Sequence, residues 1–185
     1  MDQYILISSL NDFIFCPKSI YFHRLYEPYE QEMYHSTYQV NWNIAHSRVD
    51  KKNYSTSKEI LQSKTVFSEK YWLVWKIDLF HVWKKSLIER KAHISKVYQW
   101  QIYQMYAQYL CLEEMWYQVE KLQLYSMDDN KSYPIEIPSE EEIREFGCFL
   151  DKYKKYNPIN DNTPPNIAKC KKCIYRELCD KSLLQ

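Results

Sequence analysis

The sequence predicts an α/β fold in which a central mixed sheet is flanked by helices and a small helical subdomain is assembled from both chain ends. Three observations predict it. Strand-like runs crowd the segment from Thr65 to Glu89, and a further strand pair follows near Val119. A long helical pattern from Tyr98 to Met115 separates the two groups, an order that leaves helices to cover a sheet. Cysteines stand at both ends, Cys16 near the start and Cys170, Cys173 and Cys179 in the tail, so a shared centre would bring the ends together. The 185 residues fit one domain, 1–185, with a core over 40–156 and the end subdomain from 1–30 and 160–185.

Leu10, Phe13 and Ile14 have helical spacing behind the candidate caps Ser8 and Ser9, and Pro17 is placed to start a second helix carrying Ile20, Tyr21 and Leu25. Residues 27–41 read as polar, aromatic and irregular, with a short helix expected around Ile44, His46 and Val49. Val66-Phe67, Leu73 through Val82, and Leu87-Ile88-Glu89 read as three neighbouring strands. In the helix that follows, Ile102, Met105, Tyr106, Tyr109, Leu110 and Leu112 recur at three- and four-residue steps, and Glu113 and Glu114 lie in its last turns. Val119 to Tyr125 alternates as a half-buried strand, and Ser132 to Ile137 is expected to pair beside it. Ser139 then caps an acidic helix reaching about Tyr156, and Pro164-Pro165 separates it from the cysteine-rich tail.

With 25 basic and 24 acidic residues the net charge is +1, so whole-molecule charge does not recruit nucleic acid and any such contact needs a local patch. Ile5-Leu6-Ile7 is cut off by Ser8 and Ser9, far short of a spanning helix, so the expected location is cytoplasmic with no membrane contact. Six cysteines in such a setting read as metal ligands or buried thiols rather than disulfides, and Cys111 and Cys148 read as small core residues.

Asp78 followed by Glu89-Arg90-Lys91 is the chemical signal of the middle segment. On adjacent strands Asp78 and Glu89 can converge and share a divalent cation, with Lys91 on the face of Glu89 at period two. Hard carboxylate oxygens suit Mg2+ or Mn2+, and an adjacent ammonium suits phosphodiester cleavage. The same E-x-K pattern also describes an exposed cross-strand charge pair. His46 is a candidate nitrogen ligand, and Gln104 and Gln108 lie four apart on one helix face. Cys16 with Cys170, Cys173 and Cys179 makes a closed thiolate set for zinc or an iron-sulfur cluster, which spacing does not separate.

Phe15-Cys16-Pro17, Ile44-Ala45-His46, Lys76-Ile77-Asp78, Ile88-Glu89-Arg90-Lys91, Tyr103 to Gln108 and Lys169 to Cys173, in that order, resemble the CRISPR-associated RecB-like exonuclease family, an iron-sulfur nuclease family of spacer acquisition. The resemblance implies a restriction-endonuclease-like, PD-(D/E)xK nuclease core. It implies that His46, Asp78 and Glu89 hold Mn2+ or Mg2+, that Lys91 assists the attacking water, and that Gln104 completes the catalytic set. It implies a 4Fe-4S cluster on Cys16, Cys170, Cys173 and Cys179 that closes the DNA-binding domain. The expected partners are single-stranded ends of prespacer DNA and the CRISPR integrase complex. Where the family usually has Tyr four residues after the motif Gln, this chain has Gln108. The alternative is a non-catalytic iron-sulfur DNA-binding or assembly module of the integration complex.

Ordinary usage of about 7% would give on the order of a dozen glycines. Gly147 stands alone, beside six tryptophans. The resemblance implies glycine near these motifs where Trp42, Trp72 and Trp75 stand, and Trp100 and Trp116 occupy turn-like places. The hypothesis is that the gene comes from a lineage reading UGA as glycine. Peptides from the source organism carrying Trp at these positions would rule it out.

Overall fold

The computed structural model describes residues 4–26 and 59–182, so the helix expected around His46 lies outside the described residues. A short strand β1 (Ile5–Leu6) leads into α1 (Ile7–Phe15) and α2 (Ser19–Tyr26). Neither Ser8 nor Ser9 caps α1: the cap position is Leu6, and the Ser9 hydroxyl donates back to the Leu6 carbonyl. Ser19 ties the corner between the two helices, its hydroxyl lying within hydrogen-bond distance of the Asp12 and Cys16 carbonyls.

Strands β2 (Ile60–Ser68), β3 (Leu73–His81) and β4 (Ser86–Lys91) follow as neighbours, as their sequence texture predicts. Helix α3 (Gln99–Glu114) leads to β5 (Lys121–Ser126) and β6 (Lys131–Ile135), and α4 (Glu140–Lys154) precedes a 3-10 turn (Pro158–Asn160) and the short α5 (Ile167–Cys170). The strands form one six-stranded mixed sheet in which β1–β3 and β4–β5 are parallel pairs and β2–β3, β3–β4 and β5–β6 are antiparallel. Pro134 is tolerated because β6 is an edge strand and needs no donor on its outer side.

Local chemistry explains the helix ends. Gln101 accepts from the Tyr98 amide at the start of α3, and Ser139 with Glu142 forms a reciprocal capping box on α4. At the end of α3, Trp116 N–H bonds to Glu113 O and Tyr117 N–H to Leu112 O, the Schellman pattern, with Trp116 itself at φ 66°. Glu114 accepts from Ser68 and from the Glu69 and Lys70 amides, fastening the β2–β3 turn to the helix. Trp72 closes that turn at φ 59°.

Helices α1 and α3 pack together and α3 lies against β2 and β3. Phe13 meets Phe149, Tyr153 and Tyr156, and Tyr103 meets Phe146 and Phe149, so aromatic edges join α4 to the other two. Phe146, Leu150 and Tyr153 face inward on α4. That spacing turns Cys148 outward, where it is exposed, correcting its expected place in the core; Cys111 is buried as expected. No helix among the described residues is long and apolar enough to cross a membrane.

Candidate active site at the fork of two strands

Strand β3 is paired from end to end by β2 except at Asp78, so β4 and β1 share its other edge. β4 pairs only with Leu79 to His81 and β1 only with Leu73 and Val74. Asp78 therefore stands where β3 and β4 part, while β4 continues along β5 as far as Lys91. At the fork the Asp78 carboxylate replaces the missing ladder bond: Oδ2 accepts from the Arg90 amide at 2.7 Å.

One local irregularity aims Asp78. The β2–β3 ladder skips the pair Ser63 and Asp78, and Ser63 takes φ 49°, the left-handed region that most residues avoid. Leu73 and Ile77 enter the core before this point and Phe80 after it, so the inward parity of β3 changes at Asp78. Ladder irregularities of this kind re-aim a side chain. Sequence reading missed Ser63, and nothing in its neighbourhood signals a left-handed serine.

Glu89 and Lys91 share a face of β4, as period two requires, and α3 lies over them. Lys91 Nζ donates to Glu89 Oε1 at 2.9 Å and to Gln104 Oε1 at 2.8 Å, while Gln104 Nε2 donates to Glu89 Oε1 at 2.6 Å. Gln108 Nε2 reaches the other oxygen, Glu89 Oε2, at 2.9 Å. All four side chains and Asp78 are buried, which removes the exposed charge-pair reading of Glu89 and Lys91. The four-residue step places Gln104 and Gln108 one turn apart on the same face of α3. Trp100, in the first turn of α3, lies under the Lys91 ammonium, 5.4 Å from Nζ to the ring centre. That placement is helical, not the turn expected from sequence.

Burial pushes the Glu89 carboxyl above its ordinary range, and the charge of Asp78 adds to the push; Lys91 and the Gln108 amide oppose it. A folded pKa above the unfolded one gives stability that is present below the unfolded value and lost as pH rises through the folded value. The metal-free protein is therefore expected to lose stability as pH rises above the ordinary carboxylate range. Glu89→Gln should flatten that slope in chemical denaturation with a chelator present. An unchanged slope would assign it to another group.

Asp78 and Glu89 contribute hard oxygens, and the repulsion that raises Glu89 is what a divalent cation between them relieves. Among the described residues no third His, Cys, Asp or Glu joins them as a metal-holding group, and His46 lies outside those residues.

The chain ends meet at a second place. Cys16, Cys170, Cys173 and Cys179 line one cavity of about 100 Å³, together with Lys18, Lys169, Arg176 and Lys181. Burial pushes the Cys173 thiol up, and the neighbouring Cys16, Cys179 and Cys170 push the same way. Lys18 pairs with Asp180, and Lys169 donates to the Ile14 carbonyl at 3.1 Å, so both sides of the cavity are tied across the chain ends. Asp12, His23 and Tyr175 add a relay between α1, α2 and the tail, with the Tyr175 hydroxyl 3.1 Å from His23 Nδ1 and His23 Nε2 3.2 Å from Asp12.

No protein-family model matches this chain, and no curated protein matches it. A solved structure described as the crystal structure of SSO0001 superposes with a TM-score of 0.62 over 99% of this chain and 89% of that one, at 16% identity. A likeness at that identity shows the fold alone: a mixed sheet flanked by helices.

Proposed function

We propose that the chain is a metal-dependent DNA nuclease with a PD-(D/E)xK site, of the CRISPR-associated RecB-like exonuclease kind. The observation that carries this reading is the buried set Glu89, Lys91 and Gln104, closed on itself by hydrogen bonds, with Asp78 beside it at the strand fork. Asp78 and Glu89, with His46, would hold Mn2+ or Mg2+. Such a cation supplies Lewis-acid polarisation of the phosphate and eases deprotonation of a water. Lys91, fixed by two acceptors, orients the attacking water and stabilises developing negative charge, and Gln104 holds Lys91 and Glu89 in one geometry. The substrate class is DNA with single-stranded ends, the prespacers supplied to a CRISPR integrase complex, and the basic residues Lys169, Lys171, Lys172 and Arg176 offer the phosphate contacts.

Four thiols around one cavity suit a 4Fe-4S cluster that would hold the tail on the N-terminal helices; of the cations beside them Lys18, Arg176 and Lys181 are each paired with a carboxylate. Anaerobically purified protein is expected to be brown and to contain iron and sulfide. Cys170→Ser is expected to lose the colour and to speed amide exchange across residues 161–182, read by mass spectrometry. Unchanged iron content in that variant would remove Cys170 from the ligand set.

The proposal is tested by incubating the protein with single-stranded DNA and Mn2+ and scoring degradation beside binding. Degradation that needs the metal supports the nuclease. Metal-independent binding with no degradation would favour a non-catalytic DNA-binding or assembly module.

A further inference from the structure

Resting on the nuclease reading, we infer that Gln108 is a positioning residue for Glu89, holding the metal-binding carboxylate from its inner side. The two oxygens of Glu89 are served unequally. Oε1 takes Lys91 and Gln104, each 8% exposed, whereas Oε2 has Gln108 as its donor, a residue 0% exposed on the side of α3 that also carries the buried Met105, Ala107, Cys111 and Leu112. Without the inner donor, the carboxylate is held through Oε1 alone, and its last torsion, a broad and weakly restricted one, is less tightly fixed. With it, both oxygens are held and the carboxylate plane is fixed.

The other end of the amide shows that this is not a packing choice. Gln108 Oε1 is buried with no hydrogen-bond partner, and leaving a buried acceptor unsatisfied works against stability. An apolar side chain at this core position would avoid that loss. The chain keeps an amide whose single bond runs to Glu89. Gln104 differs, since its oxygen is used by Lys91 and its nitrogen by Glu89. Groups that orient a metal ligand change metal affinity about 10- to 100-fold when removed.

The test is direct titration of Mn2+ into the metal-free protein, followed by electron paramagnetic resonance of the free ion, for the parent, Gln108→Leu, Gln108→Asn and Asp78→Asn. Gln108→Leu is expected to weaken Mn2+ binding about 10- to 100-fold, with a melting temperature in chelator no lower than that of the parent by more than a few degrees. Gln108→Asn keeps the amide but shortens its reach, and is expected to weaken binding in the same direction. It also serves if the Leu variant does not fold. Parent-like affinity in either folded variant, with binding still lost in Asp78→Asn, overturns the role of Gln108 and leaves the nuclease reading standing. A parent that binds no Mn2+, or binds it equally well after Asp78→Asn, overturns both.

Discussion

Asp78→Asn is expected to lower DNA cleavage about 10³-fold or more, since several kcal/mol of metal-derived transition-state stabilisation depend on that carboxylate and each 1.36 kcal/mol is about tenfold. The fold is expected to survive, because an Asn oxygen can still accept from the Arg90 amide at the strand fork. Charge makes the second half of the expectation. Asp78 and Glu89 are buried together, and the charge of Asp78 opposes ionisation of Glu89. Removing it should leave the metal-free protein as stable as the parent or more so, by thermal melting in chelator. Added Mn2+ should raise the parent's melting temperature and leave that of Asp78→Asn unchanged. Retained cleavage in Asp78→Asn would place the chemistry elsewhere.

Trp116→Gly is expected to stabilise the protein by about 1 kcal/mol, with Trp72→Gly acting in the same direction by less. A left-handed backbone costs an ordinary L residue roughly 1–2 kcal/mol, and part of the relief is returned because glycine has more freedom when unfolded. Trp116 sits at φ 66° in the Schellman position that glycine usually fills and is 95% exposed, so its indole contributes little packing. Trp72, at φ 59°, lies 5.6 Å from the Tyr4 ring and loses that contact. For a chain of this size each kcal/mol moves the melting temperature about 2–4 °C. The hypothesis of UGA read as glycine gains backbone support at these two positions. Trp75 and Trp100 have no positive φ, and Trp42 lies outside the described residues. Trp75 is partly buried against the core opposite Val66, so Trp75→Gly in this protein is expected to destabilise.

Much of this was legible because period and chemistry coincide. Leu73 to Val82 and Leu87 to Glu89 carry strand texture, and the apolar steps of Tyr98 to Met115 mark a helix whose Gln104 and Gln108 share a face. What escaped depends on long-range geometry. The two-residue strand β1 has no periodicity to read, and its pairing with Leu73 exists only because β4 leaves that edge free. Ser63 carries no signal for φ 49°. Whether Gln108 faces solvent or Glu89 is settled by the packing of α3 on the sheet, which a four-residue spacing cannot reveal. Cys148 was misplaced because an apolar neighbour, Phe149, suggested burial where the helix turns the thiol out.

The central claim is that Asp78 and the Glu89–Lys91–Gln104 set cut DNA. Its most direct measurement is release of label from the end of single-stranded DNA in Mn2+ by anaerobically purified protein carrying Trp72→Gly and Trp116→Gly, beside the same protein with Asp78→Asn added. Label released by the first and not by the second is the expected result. Release by both, or by neither while each is folded and brown, would contradict it.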